Sequence, residues 1–92
     1  MPITFRIGTH LAARGWKVKI RDRERLEPPH VSVMYRTAVW RFNLRTATFM
    51  DREPDPALVP EDLQNLLNAL LPQLCAAWDT MYPENPVGET HA

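Results

Sequence analysis

Apolar and polar residues alternate along Ile3-Thr4-Phe5-Arg6-Ile7, the period of a strand with one buried face, and the pattern stops at Gly8. Trp16-Lys17-Val18-Lys19-Ile20-Arg21 alternates more strictly, with Trp16, Val18 and Ile20 on one face and three cations on the other. Between these strands, residues 8–15 leave room for a short turn of helix over Leu11-Ala12-Ala13. Residues 22–27 read as a charged loop. Pro28-Pro29 then imposes extended backbone without amide donors, which starts a strand but does not continue a central one. Residues 30–35 and 39–44 form the third and fourth strands, with Arg36-Thr37-Ala38 supplying the turn. Two pairings fit, Tyr35 opposite Trp40 or Val33 opposite Trp40; the pattern fixes the face and leaves the register open. Ala47-Thr48-Phe49-Met50 reads as a short fifth strand.

After a proline-rich loop, Pro60 suits the first helical position, and Glu61 and Asp62 favour the positive end of a helix dipole. Leu63, Leu66, Leu67, Leu70, Leu74, Ala77, Trp78 and Met81 then recur at three- and four-residue steps, one apolar stripe that covers a sheet. Pro72 lies opposite the stripe, and the phase continues across it, so a kink toward the sheet is expected there. The expected fold is α+β: an antiparallel sheet of four strands and a short fifth, packed on one face by a C-terminal helix kinked near Pro72. Residues 1–82 form a single domain, Pro83 ends the helix, and residues 83–92 are expected to be a flexible tail.

Composition narrows this picture without redirecting it. With 92 residues, 45% of them hydrophobic, the chain supports one packed core and no more. Its most apolar stretch, residues 63–81, contains Gln64, Asn65, Asn68, Pro72, Gln73 and Asp79, so no membrane span is expected. The first residues lack the pattern of a secretory signal, and a cytoplasmic location is the expectation. The single cysteine, Cys75, offers neither a disulfide nor a zinc-ligand spacing and reads as a small residue packed on the helix. No metal or other cofactor is expected.

Charge changes the picture more. The formal net charge of zero divides into ten Lys/Arg against three Asp/Glu in residues 1–50, net +7, and one Arg against eight Asp/Glu in residues 51–92, net −7. That asymmetry implies either an anionic partner for the first half or contact between the halves. Strand parity places Arg6, Lys17, Lys19, Arg21, Arg41 and Arg45 on the uncovered face of the sheet, a surface able to hold an acidic polypeptide or a phosphate backbone. The same parity leaves no aromatic ring there for base stacking. His30 falls on this face near Arg41, Asn43 and Arg45. Among cations it stays neutral and is the one candidate catalytic group, a base for phosphodiester cleavage. The plainer reading is that its imidazole hydrogen-bonds the 22–27 loop and fixes the Pro-Pro strand start.

Glu27-Pro28-Pro29-His30-Val31-Ser32-Val33, then Phe42-Asn43-Leu44, then Leu74-Cys75-Ala76-Ala77-Trp78-Asp79 resemble a bacterial family catalogued as domain of unknown function 4160. Its members typically read Pro-Pro-His-Val-His-Val at this strand start and finish on a helix with a Leu-x-x-Ala-Trp ending. The likeness covers residues 16–82. Ser32 replaces the second histidine, so the pair that histidines at strand positions i and i+2 would make on one face is absent. Some members are labelled toxin–antitoxin components, which implies a protein partner encoded by a neighbouring gene. Three functions follow as expectations. The first is a non-enzymatic interaction module binding an acidic partner through the basic face. The second is an RNA-binding toxin or metal-independent endoribonuclease using that face with His30. The third is a structural homodimer.

Overall fold

The computed structural model of the chain describes residues 2–88. Five strands, β1 (Ile3–Thr4), β2 (Trp16–Ile20), β3 (His30–Tyr35), β4 (Ala38–Asn43) and β5 (Thr48–Phe49), form one antiparallel sheet in chain order. A short helix, α1 (Thr9–Ala13), occupies the connection between β1 and β2, where a helical turn was expected. A 3-10 turn at Pro56–Leu58 precedes α2 (Glu61–Ala69) and α3 (Leu71–Met81). The α+β class and the fifth strand agree with the sequence pattern.

Register is settled by the turn. Val33 pairs with Trp40, Val31 with Phe42 and Tyr35 with Ala38, leaving Arg36-Thr37 as a two-residue connection. Such turns need a positive φ, and in the absence of glycine Arg36 adopts φ 55°, at a cost of about 1 kcal/mol. Next to it, Trp16 stacks on Tyr35 with ring centroids 4.7 Å apart, and the Arg36 guanidinium lies 5.1 Å from the Tyr35 centroid. The cross-strand rings Trp16 and Trp40, 5.5 Å apart, extend the same apolar face.

Val18, Ile20, Val31, Val33, Trp40, Phe42 and Leu44 are buried together with Leu63, Leu67, Leu74 and Trp78 of the helices, as the parity and the stripe predict. Val59 and Val87 join the core from segments that read as loop and tail. The helix expected to kink near Pro72 is divided into α2 and α3 at Leu70. Proline lacks an amide for the Asn68 carbonyl and its ring crowds that oxygen, so the ladder fails one turn ahead of it. Pro72 thereby falls in the first turn of α3, where a missing donor costs nothing.

The expectation of a loose tail is corrected for residues 83–88. Trp78 Nε1 donates to the Asn85 carbonyl at 2.7 Å, the Val87 amide donates to Asp79 Oδ1 at 2.8 Å, and Val87 is buried. A buried indole N–H needs an acceptor, and the chain after Pro83 turns back to supply one. Residues 89–92 of the expected tail lie outside the described residues. Asn85 Nδ2 donates to the carbonyls of Arg25 at 3.0 Å and Glu27 at 2.7 Å, tying the C-terminal segment to the β2–β3 loop. Replacing Asn85 by Ala is expected to destabilise the fold by about 1–2 kcal/mol in urea unfolding; an unchanged midpoint would show that the segment is not a brace.

Candidate functional site

The loop of residues 21–29 closes the end of the sheet, held by hydrogen bonds within itself and to Tyr82, His30 and Asn85. Tyr82, four residues beyond Trp78 on the apolar stripe, places its hydroxyl against this loop. The hydroxyl accepts the Glu24 amide at 3.1 Å and donates to the Arg21 carbonyl. Glu24 is thereby drawn inward: it is buried, and its Oε1 accepts the Arg21 amide at 3.1 Å. Arg23, between them, takes φ 66°, the left-handed conformation that the tight turn requires.

His30 is fully buried, which corrects the expectation of a neutral imidazole on an open cationic face. By strand alternation it belongs with Ser32, Lys19 and Arg41, but the loop folds over it and the Trp78 ring lies 5.6 Å away. Nδ1 donates to the Pro28 carbonyl at 2.8 Å, and Nε2 faces Glu24 Oε2 at 3.1 Å and Glu27 Oε1 at 3.9 Å. The plainer reading of His30, a ring that hydrogen-bonds its loop and fixes the Pro-Pro strand start, is the one observed. Burial by itself lowers its pKa. The Glu24 hydrogen bond, the Pro28 carbonyl and the fields of Glu24 and Glu27 outweigh burial and raise it. Its neighbours are carboxylates, not the arginines that parity alone suggested.

Arg41 extends the cluster outward. Its Nε and Nη2 donate to Asp51 at 3.0 and 2.7 Å, a bidentate pair, and Nη1 lies 3.4 Å from Glu27 Oε1. The hydrogen bond from Arg41 holds the Asp51 carboxyl below its ordinary pKa, against the opposing effect of partial burial. Asp51 opens the acidic half of the sequence, so one expected contact between the oppositely charged halves is present. Arg45 is also engaged: Nε donates to the Val87 carbonyl at 3.1 Å and Nη2 to the Pro86 carbonyl at 2.9 Å.

The remaining residues assigned to the basic surface are placed differently. Lys17 and Lys19 project from β2 on the side of Met34 and Ser32; Lys17 is exposed and Lys19 half-buried. Arg6 and Arg21 are exposed just beyond β1 and β2. Among the described residues, none of these four lies within ion-pair distance of a carboxylate. Cys75 is half-buried and its pKa is raised by that burial, the behaviour of a packed and unreactive thiol.

Between the loop and the end of α3 lies a cleft of about 520 Å³, lined by Arg23, Arg25, Leu26, Glu27, Met81, Tyr82 and Glu84. Leu26 is 90% exposed at its rim. Sequence reasoning missed Glu24, Glu27, Asp51, Tyr82 and Asn85. The one available signal was spacing, since Glu24 and Glu27 precede His30 by six and three residues on a segment that must turn back sharply. No protein-family profile, curated protein or solved structure gives a significant match to the chain.

Two outcomes follow from this network. Tyr82→Phe leaves the Glu24 amide and the Arg21 carbonyl without their partner and is expected to cost about 1–3 kcal/mol in chemical denaturation, with the fold kept by circular dichroism. Because the folded-state pKa of Asp51 is depressed, its contribution is present above the unfolded carboxylate pKa of about 3.9 and is lost as pH falls through the folded value. Asp51→Asn should therefore be less stable than the parent at neutral pH, and the difference should shrink in acid; a gap independent of pH would refute the pairing.

Proposed function

We propose that the chain is a non-enzymatic interaction module, a toxin–antitoxin-like component acting in the cytoplasm, that holds an acidic protein segment against its basic sheet face. The observation that carries this reading is the contrast among the cations. Arg41 and Arg45 are consumed by contacts within the chain, whereas Arg6, Lys17, Lys19 and Arg21 have no carboxylate partner among the described residues. Unpaired cations gathered on one surface attract an anionic partner and speed its encounter. The resemblance of residues 16–82 to a bacterial family with toxin–antitoxin members supports a protein as that partner. Among the described residues, no helix is long and apolar enough to cross a membrane.

Two observations weigh against an RNA-cleaving alternative. The His30 ring is fully buried, and a base must reach within hydrogen-bonding distance of the proton it removes. Trp16, Tyr35, Trp40 and Phe42 belong to the core side of the sheet, and none of them offers the basic side a stacking ring. Co-expression with the product of the adjacent gene, followed by size-exclusion chromatography, is expected to give a complex whose affinity falls with salt. The triple charge reversal Lys17→Glu, Lys19→Glu and Arg21→Glu should weaken it at least about tenfold, the loss of roughly 1.4 kcal/mol. Absence of a complex, or equal affinity of the triple variant, removes the reading.

A further inference from the structure

We propose that Glu24, Glu27 and His30 form a binding site for one divalent transition-metal ion of the zinc class, buried at the end of the sheet and reached through Glu27, which lines the cleft between the 21–29 loop and the end of α3. One donor atom from each residue lies within 4.8 Å of the other two. Nε2 stands 3.1 Å from Glu24 Oε2 and 3.9 Å from Glu27 Oε1. A tetrahedral ion with bonds of about 2.1 Å separates its ligand atoms by about 3.4 Å, so the observed distances straddle the requirement. One nitrogen and two carboxylate oxygens suit zinc, cobalt or manganese better than the all-oxygen cations calcium and magnesium.

The surroundings are those that orient ligands in metal sites. Nδ1–H is committed to the Pro28 carbonyl at 2.8 Å, which fixes the tautomer and turns Nε2 toward the carboxylates. The second oxygen of Glu24 is held by the Arg21 amide, and Glu27 Oε1 is approached by Arg41 Nη1. Charge gives the stronger reason. Glu24 and Glu27 bring two negative charges to Nε2, and the guanidinium that touches Glu27, that of Arg41, is already bound in a bidentate pair to Asp51. A proton on His30 compensates one of them; a divalent ion at Nε2 compensates both, in a place where Glu24 and His30 are withdrawn from water. Glu27 is half-exposed and lines the cleft, which gives an ion a path inward.

Such an ion fastens the loop to the first residue of β3. None of the three ligands is a cation of the basic sheet face, so substitutions at Glu27 and at Lys17 or Lys19 test the two sites separately. The test uses the full chain stripped with chelator and titrated with Co²⁺ and with Zn²⁺ alone. The expected result is one equivalent of Co²⁺ with the visible absorption of a four- or five-coordinate site, and a thermal midpoint raised by Zn²⁺. Glu27→Gln, a change at the half-exposed ligand that should leave the fold intact, is expected to weaken Zn²⁺ binding at least about tenfold. Glu84→Gln, a carboxylate on the same cleft outside the cluster, should bind as the parent does. No visible Co²⁺ spectrum and no Zn²⁺-dependent shift, or Zn²⁺ binding undiminished in Glu27→Gln, overturns the proposal.

Discussion

A histidine ring sealed at the end of a sheet, with an oxygen acceptor opposite each nitrogen, dictates how three separate parts of this chain must meet. Pro28 supplies one acceptor from the residue pair that starts β3, and Glu24 supplies the other from the loop. Glu24 can be there only because Tyr82 receives its amide and engages the Arg21 carbonyl. Tyr82 in turn ends the helical stripe, and Trp78, one turn earlier, draws the following segment back to give its indole an acceptor. Buried polar groups leave few alternatives, because each one left unpaired costs a substantial fraction of a small domain's stability. Loop, sheet end and C-terminal segment are therefore parts of one polar assembly laid over an apolar core.

That assembly marks the boundary of what the sequence made legible. Periodicity located the strands, the face that each of the first four buries and the helical stripe, because those depend on repetition along a single segment. Val31 and Val33 announced themselves as core in this way, as did Leu63 and Leu74. It failed at His30, whose parity was read as exposure. Alternation says which side of a strand a residue belongs to; what later folds over that side is a separate matter. Glu24 and Glu27 resembled an ordinary solvated loop because nothing local distinguishes a carboxylate that will meet a histidine from one that faces water. Asn85 lay in a segment whose composition, rich in proline and polar residues, signals a tail; its role arises from contacts with residues nearly sixty positions earlier.

Segregation of charge along the chain resolves into two different arrangements in space. Where acidic and basic halves touch, Arg41 and Asp51 form a bidentate pair that the 21–29 loop extends through Glu27. Where they do not, β2 and its flanks retain uncompensated cations. A net charge of zero thus conceals a molecule with a persistently positive side, balanced by acidic residues elsewhere of which Asp51 is paired with Arg41. Long-range attraction depends on that positive side, since paired charges contribute little beyond a Debye length.

The sheet also ends unusually early on both sides. β1 and β5 contain two residues each and cover only part of the longer strands beside them. Border strands of two residues offer little backbone template of their own for another chain to extend. Under the proposed reading a partner is met by side chains, whose charges can be exchanged one at a time without disturbing the hydrogen-bonded frame. A surface of that sort can change its partner by substitution while the scaffold beneath it stays as it is.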